Sequence, residues 1–293
     1  MIRKQEPVAL LAGAGRFPLV FASKARQAGL QVVGIGIKDH ADPALASLCW
    51  KYYEVGPFQM GRMIRLVKYA GASQVVMAGK LHKADLMYRP WRWLHWLPDW
   101  RTLSWYYFRH RRRDNKDDTV LLSVIEEWGR DGLSFASALD LCPELLVKPG
   151  VLTRRPPSAA ELADIEFGWT LAKAMGGLDV GQSVVIKDKV AVAVEAIEGT
   201  DRAIARAGEL CRKGGFTVVK VAKPSQDMRF DVPTVGTQTI ETLAKAGGKV
   251  LAIEAEKTIV LDLAETIALA DKLGVSIVCL SGESGRSETC ESA

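Results

Sequence analysis

The chain has 293 residues, and at about 150 residues per domain this predicts two domains or one large one. Its 48% hydrophobic content is enough to bury a core without disulfides or metal, which excludes a fibre, a peptide and a disulfide-stapled miniprotein. A formal charge of +5 is too mild to identify nucleic acid as the partner.

The five cysteines, Cys49, Cys142, Cys211, Cys279 and Cys290, are odd in number, far apart and never in a CxxC pair. That pattern argues against a disulfide framework or a zinc knuckle and fits a reducing cytoplasm. Glu6, Arg16 and Pro18 interrupt the amino-terminal apolar run, so no signal peptide is expected. No window approaches the roughly eighteen apolar residues that would span a bilayer.

In chain order, the apolar run Val8 to Ala12 predicts a strand, Gly13-Ala14-Gly15 a turn, and Pro18 to Gly29 a helix with a glycine stop. Leu30 to Ile37 reads as a second buried strand, Met60 to Gly71 as a helix and Gln74 to Ala78 as a third strand. Asp117 to Gly132 reads as a helix opened by two acids. Strand and helix in alternation predict an α/β fold with a right-handed, mostly parallel sheet. The prolines and glycine of Lys148 to Ser158 break the pattern, and a boundary placed there gives domains 1–150 and 151–293.

The second half opens with a helix from Ala159 to Met175, then a hairpin of Ser183 to Ile186 and Val190 to Val194 turning at Lys187-Asp188-Lys189. A helix at Thr200 to Lys213, a strand at Phe216 to Ala222 and a helix at Thr234 to Ala246 follow. Strands at Val250 to Glu254 and Ile259 to Leu261, a helix ending at Leu273 and a strand at Val275 to Leu280 complete a mixed α/β half.

Five places carry candidate chemistry. The turn Gly13-Ala14-Gly15, before Pro18, stands where a strand hands over to a helix, and its amides suit a phosphate; a bare tight turn fits as well. Between Tyr88 and Arg113 seven arginines face one acid, Asp99, and are interleaved with Trp91, Trp93, Trp96, Trp100 and Trp105. Indoles favour the headgroup layer and arginines pair with lipid phosphates, which points to a membrane-surface or lipid-contacting segment. Core packing and single-stranded nucleic acid are the other readings.

Asp117 and Asp118 can cap a helix or hold a divalent cation. Glu198-Gly199-Thr200-Asp201 turns into a helix whose amides can meet a phosphate; a plain capped turn fits as well. The densest polar group is Lys223 to Gly236, between a strand and a helix, where Lys223 and Arg229 can clamp phosphoryl oxygens and a carboxylate can bind metal or polarise water; a solvated loop whose Asp231 caps the next helix is the other reading. His40, His82, His95 and His110 show no metal-ligand spacing.

The opening LLAGAGRFP, the pair Asp117-Asp118, the DVGQSVV of Asp179 to Val185, the EGTD at Glu198 and above all K-P-x-Q-x-x-R-x-D-x-P-x-x-G at Lys223 to Gly236 are specific together. In them the chain resembles the UDP-2,3-diacylglucosamine pyrophosphatases of lipid A biosynthesis, from about Val8 to Leu280. The resemblance implies a Rossmann-like amino-terminal domain and a second, mixed α/β carboxyl-terminal domain. It implies hydrolysis of the UDP-sugar lipid to UMP and 2,3-diacylglucosamine 1-phosphate with Mg²⁺ or Mn²⁺, water attacking the α-phosphorus.

Asp231 matches the family's essential aspartate. Lys223 and Arg229 are then expected to neutralise pyrophosphate charge and Gln226 to orient it. Gly13, Ala14, Gly15, Lys80 and Thr200 are expected at the nucleotide and phosphate, and Asp231, Asp117 and Asp118 at the metal. The implied partners are a UDP-linked diacylated glucosamine lipid and an anionic membrane surface, with no nucleic acid and a homo-oligomer left open. The implied location is cytoplasmic, peripheral at the inner membrane. Two competing readings are a nicotinamide-dependent oxidoreductase, resting on the glycine turn, and a non-catalytic lipid- or nucleotide-binding protein, resting on the Trp/Arg stretch.

Overall fold

The structure, a computed structural model, describes residue 2 and residues 6–81, 97–111, 117–224, 226–230 and 232–282, with the side chains of Asp117 and Asp118 outside that description. The chain divides into two compact units, one of residues 1–143 and 227–231, the other of residues 144–226 and 232–293.

The first unit is built on a parallel sheet of β1 (Val8–Ala12), β2 (Val32–Ile37), β3 (Lys51–Val55), β4 (Gln74–Ala78) and β5 (Ser134–Ala136), in the order β3-β2-β1-β4-β5. Helices α1 (Phe17–Gln27), α2 (Met60–Tyr69), α3 (Trp100–Trp105) and α4 (Asp117–Gly129) accompany it. Strands β1 and β2 are apolar because both sheet faces are covered: all six residues of β2 are buried. Ala9, Val33, Ile35 and Val75 pack with Met63, Ile64 and Val67 of α2 and with Trp128 of α4. The strand order reverses direction beside β1, so the loop after β1 leaves at the switch point where open α/β sheets offer a crevice.

The second unit has a six-stranded mixed sheet in the order β6-β13-β11-β9-β7-β8. Its strands are β6 (Gly150–Val151), β7 (Ser183–Lys187), β8 (Val190–Val194), β9 (Thr217–Lys220), β11 (Val250–Glu254) and β13 (Ser276–Leu280). The helices are α5 (Ala159–Gly177), α6 (Thr200–Leu210), α7 (Thr237–Lys245) and α8 (Leu263–Leu273). Side chains alternate across the sheet. Val184, Ile186, Val219 and Ala252 meet Ile165, Trp169 and Ala172 of α5, while Val185, Val218, Leu251 and Ile253 meet Ile204 of α6 and Ile240 and Leu243 of α7. The hairpin at Lys187-Asp188-Lys189 turns on two left-handed residues, Asp188 and Lys189, whose amides donate to buried Asp164 of α5.

The sequence led to a helix over Thr234 to Ala246, but its first residues form β10 (Thr234–Val235), paired in parallel with β12 (Ile259–Val260). The Ile259 amide donates to the Pro233 carbonyl at 2.8 Å and the Leu261 amide to the Val235 carbonyl at 2.9 Å. These bonds hold the segment extended, and α7 starts only after the extended Gly236. Strands β3, β5 and β6 and helix α3 had no expectation. Among the described residues no helix is long and apolar enough to cross a membrane.

Candidate active site

In the second unit the loop that follows β9 begins at Lys223, and three neighbours fix its first turn. The Lys223 ammonium donates to Asp179 Oδ1 at 2.5 Å, with the lysine side chain only 8% exposed. Its own amide donates to Gln226 Oε1 at 2.8 Å, and the Gln226 amide returns a bond to the Lys223 carbonyl at 3.1 Å. Gln226 Nε2 reaches Gln182 Oε1 at 3.4 Å. So Lys223 and Gln226, expected together, are together.

Their partners Asp179 and Gln182 both lie in the DVGQ segment. The sequence alone assigns these two residues no task. It follows the end of α5, where Asp179 adopts a left-handed φ of 57°. The Gln182 carbonyl also accepts from the Val221 amide at 3.0 Å, bracing the strand that leads into the loop.

The next part of the motif, Asp227 to Phe230, belongs to the first unit. There the Ser137 hydroxyl donates to the Met228 carbonyl at 2.9 Å. Arg229 wraps back on Asp227: Nε donates to both carboxylate oxygens, at 2.9 and 3.0 Å, and the Arg229 amide donates to Oδ1 at 3.0 Å. The Arg229 guanidinium holds the Asp227 carboxyl below its ordinary range, and Asp227 in turn raises the arginine. Ser225 and Asp231 lie outside the described residues. So do Trp91, Trp93 and Trp96.

Two of the groups expected at a phosphate have partners within the protein. The Gly13 amide donates to the Ala78 carbonyl at 2.9 Å, and Ala14 and Lys80 exchange both main-chain bonds, at 2.8 and 2.9 Å. These amides are therefore not presented to a phosphate. The glycines serve close approach instead: a Cβ on Gly13 would lie 2.6 Å from the Lys80 carbonyl oxygen, and one on Gly79 2.7 Å from that of Ala14. Gly15, with φ of 98°, and the Lys80 side chain are exposed and stay accessible.

Thr200 is 6% exposed and its hydroxyl is spent internally, on Glu195 Oε1 at 3.0 Å, on the fully buried Lys220 ammonium at 3.1 Å and beside Ser183 Oγ at 3.2 Å. Lys220 also donates to the Thr234 carbonyl at 3.1 Å, which ties this network to the residue just past the motif's second proline.

Trp105 is likewise withdrawn from the lipid-contacting set. It is 7% exposed, its indole N–H donates to Ser123 Oγ at 2.9 Å, and His110 stacks on it with ring centroids 5.0 Å apart. Trp100 remains, 79% exposed, with Phe108 at 81% beyond it. The arginines of this stretch divide too. Arg101 and Arg109 both pair with buried Glu127 of α4.

For a metal, no group of three or more His, Cys, Asp or Glu side chains gathers among the described residues.

Family models for the LpxI N-terminal domain and the LpxI C-terminal domain match residues 7–145 and 148–278. The UDP-2,3-diacylglucosamine pyrophosphatase LpxI of Caulobacter vibrioides is 29% identical over 276 residues, which cover 92% of this chain and 95% of the relative. Among solved structures, the biotin carboxylase subunit of a pyruvate carboxylase aligns with 65% of this chain and 36% of its own at 15% identity and a TM-score of 0.26. The biotin carboxylase domain of the Hydrogenobacter thermophilus 2-oxoglutarate carboxylase aligns with 72% of this chain and 42% of its own at 14% identity and a TM-score of 0.27. Likeness that slight carries no argument. The two family models, by contrast, run nearly end to end along both halves of the sequence, and the chain belongs to the LpxI family.

Proposed function

We propose that the protein hydrolyses the pyrophosphate of UDP-2,3-diacylglucosamine to UMP and 2,3-diacylglucosamine 1-phosphate in lipid A biosynthesis. The observation that carries this reading is the family match along both halves, with a relative of that named activity covered over 95% of its length. The held turn at Lys223 and Gln226 supports it, because such a turn places charge and amide groups before a substrate arrives.

In the proposed reaction a water oxygen forms a bond to the α-phosphorus and the bond from that phosphorus to the bridging oxygen breaks. The diacylglucosamine 1-phosphate leaves with the electron pair. Lys223 has three N–H donors and Asp179 fixes the direction of the group. Asp227 takes one edge of the Arg229 fork, which orients its planar donors. These two cations offset the charge that builds on the pyrophosphate. Gln226, with its carbonyl bound to the Lys223 amide, turns its amide group toward polar partners. Asp231 is proposed to accept the water proton or to polarise the water.

A Mg²⁺ or Mn²⁺ ion, held by Asp231 with Asp117 and Asp118, is proposed from the resemblance and would supply further charge neutralisation. Trp91, Trp93, Trp96 and Trp100 with the neighbouring arginines are proposed to meet an anionic membrane surface and the acyl chains, at the cytoplasmic side of the inner membrane.

The test is the purified full chain with UDP-2,3-diacylglucosamine in ¹⁸O-water, with Mg²⁺ and with EDTA. UMP that carries the label and stops forming in EDTA is the expected result. Label in the sugar phosphate would reject attack at the α-phosphorus, and no UMP from folded protein would reject the substrate.

A further inference from the structure

We propose that Lys173 and Glu254 are positioning residues that fix the entrance to the Lys223–Gly236 loop, an inference that rests on reading that loop as the catalytic segment. Strand β9 pairs with β11 up to Lys220, opposite Ile253. One residue further along β11 is Glu254, and here the ladder is replaced by side chains. The Ala222 amide donates to Glu254 Oε2 at 2.7 Å, and the Lys173 ammonium donates to the Ala222 carbonyl at 3.1 Å and to the same Oε2 at 2.6 Å. Both main-chain groups of Ala222, the residue before Lys223, are thus held by one ion pair. Lys257 closes on the other carboxylate oxygen, Oε1, at 3.0 Å.

Helix α5 carries this restraint into the loop itself. Three residues beyond Lys173, a Cβ on Gly176 would lie 3.3 Å from Lys223 Cα, so the helix backbone bears directly on the lysine. Three residues further, Asp179 takes the Lys223 ammonium. Lys173, Gly176 and Asp179 therefore set Ala222, the Lys223 backbone and the Lys223 head group in turn.

As a link between α5 and the sheet alone, an apolar pair of similar volume would serve as well, since an ion pair this deeply placed gains little against its desolvation; the charges are needed for the buried amide and carbonyl of Ala222. The Glu254 side chain is 5% exposed and that of Lys173 22%. Burial pushes the Glu254 carboxyl up, but bonds from Lys173, Lys257 and the Ala222 amide outweigh it and hold it below its ordinary range. What the pair supplies is direction at Ala222.

The test uses the full chain as Lys173→Met, Lys173→Arg, Glu254→Gln and the double apolar variant Lys173→Met/Glu254→Met. Amide exchange at Ala222, Lys223 and Gln226 is read beside kcat, KM and Tm. Lys173→Met should speed exchange at these amides about tenfold and lower kcat about 10- to 100-fold with KM nearly unchanged. Lys173→Arg should restore most of kcat. The double variant leaves no buried charge unpaired but strands the buried amide and carbonyl of Ala222, so it should regain only part of the Tm lost in Lys173→Met and neither kcat nor protection.

Unchanged exchange in the folded double variant overturns the proposal, whatever its activity, and so does a double variant with full kcat. If the wild type releases no UMP while exchange at the loop rises in the variants, the positioning role stands and the catalytic reading of the loop falls.

Discussion

Two segments leave the carboxyl ends of parallel strands, one after β1 and one after β9, and they use their polar groups in opposite ways. After β1 the amides of Gly13 and Ala14 bond back to Ala78 and Lys80, so the turn closes on its own sheet. After β9 the main chain is bonded mostly by side chains: Glu254 and Lys173 at Ala222, and Gln226 at the Lys223 amide. The part-buried Asp179 carboxylate then aims the Lys223 cation. The lesson is that glycines in a strand-to-helix turn report close backbone approach before they report a ligand. A buried lysine with an acid at its head group marks a segment built to hold a shape.

Lys223→Met should separate the two segments most sharply. It removes one of the proposed cations and strands Asp179, so kcat/KM should fall about 10²- to 10³-fold, with a stability loss of about 3 kcal/mol in urea unfolding. An active Lys223→Met would erase the distinction.

The next largest effect concerns the tryptophans. Trp105→Ala should cost about 3–5 kcal/mol, because it empties a core site beside Ser123 and His110. Trp100→Ser should leave stability within about 0.5 kcal/mol and reduce flotation with anionic vesicles. Equal stability costs at the two positions would show that burial does not divide them.

At the glycine turn, Gly13→Ala must move the Lys80 carbonyl and should cost about 1–3 kcal/mol. Turnover per folded molecule should be unchanged. A loss of UMP release at full stability would return Gly13 to the site and break the comparison from the other side.

The smallest effect is on pH. The Glu254 and Glu161 carboxyls are held below their ordinary value of 4.5, the first against burial by Lys173 and Lys257, the second chiefly by Arg155. A folded pKa below the unfolded one means stability present above about pH 4.5 and lost as pH falls through the depressed values. Urea midpoints measured between about pH 3 and 6 should therefore drop on the acid side, less steeply in Glu254→Gln. A flat profile would remove the ionic account of the loop's anchor.

The order of strands and helices was legible because buried strands such as VALLA and VVGIGI are apolar on both faces and glycines close the helices after them. The strand KYYEV was missed since only Val55 of it is buried, and Thr234-Val235 was read as helix because its pairing with Ile259-Val260 is non-local. Of the candidate site, the succession of Lys223, Gln226 and Arg229 along the chain was visible as a motif. Asp179, Gln182, Lys173 and Glu254 were not, because each meets the loop from a distant part of the chain and only the fold supplies that proximity. The density of Trp and Arg suggested one surface. The fold splits it, taking Trp105 inward and turning Arg101 and Arg109 onto buried Glu127, while Trp100 and Phe108 stay outside.

The central claim is that the loop from Lys223 to Gly236 carries the hydrolysis. Its most direct test is UMP release from UDP-2,3-diacylglucosamine by Asp231→Ala beside the wild type, with circular dichroism and Tm of both. The account predicts loss of turnover by at least about a thousandfold in a variant that keeps its fold. Wild-type turnover from folded Asp231→Ala would contradict it.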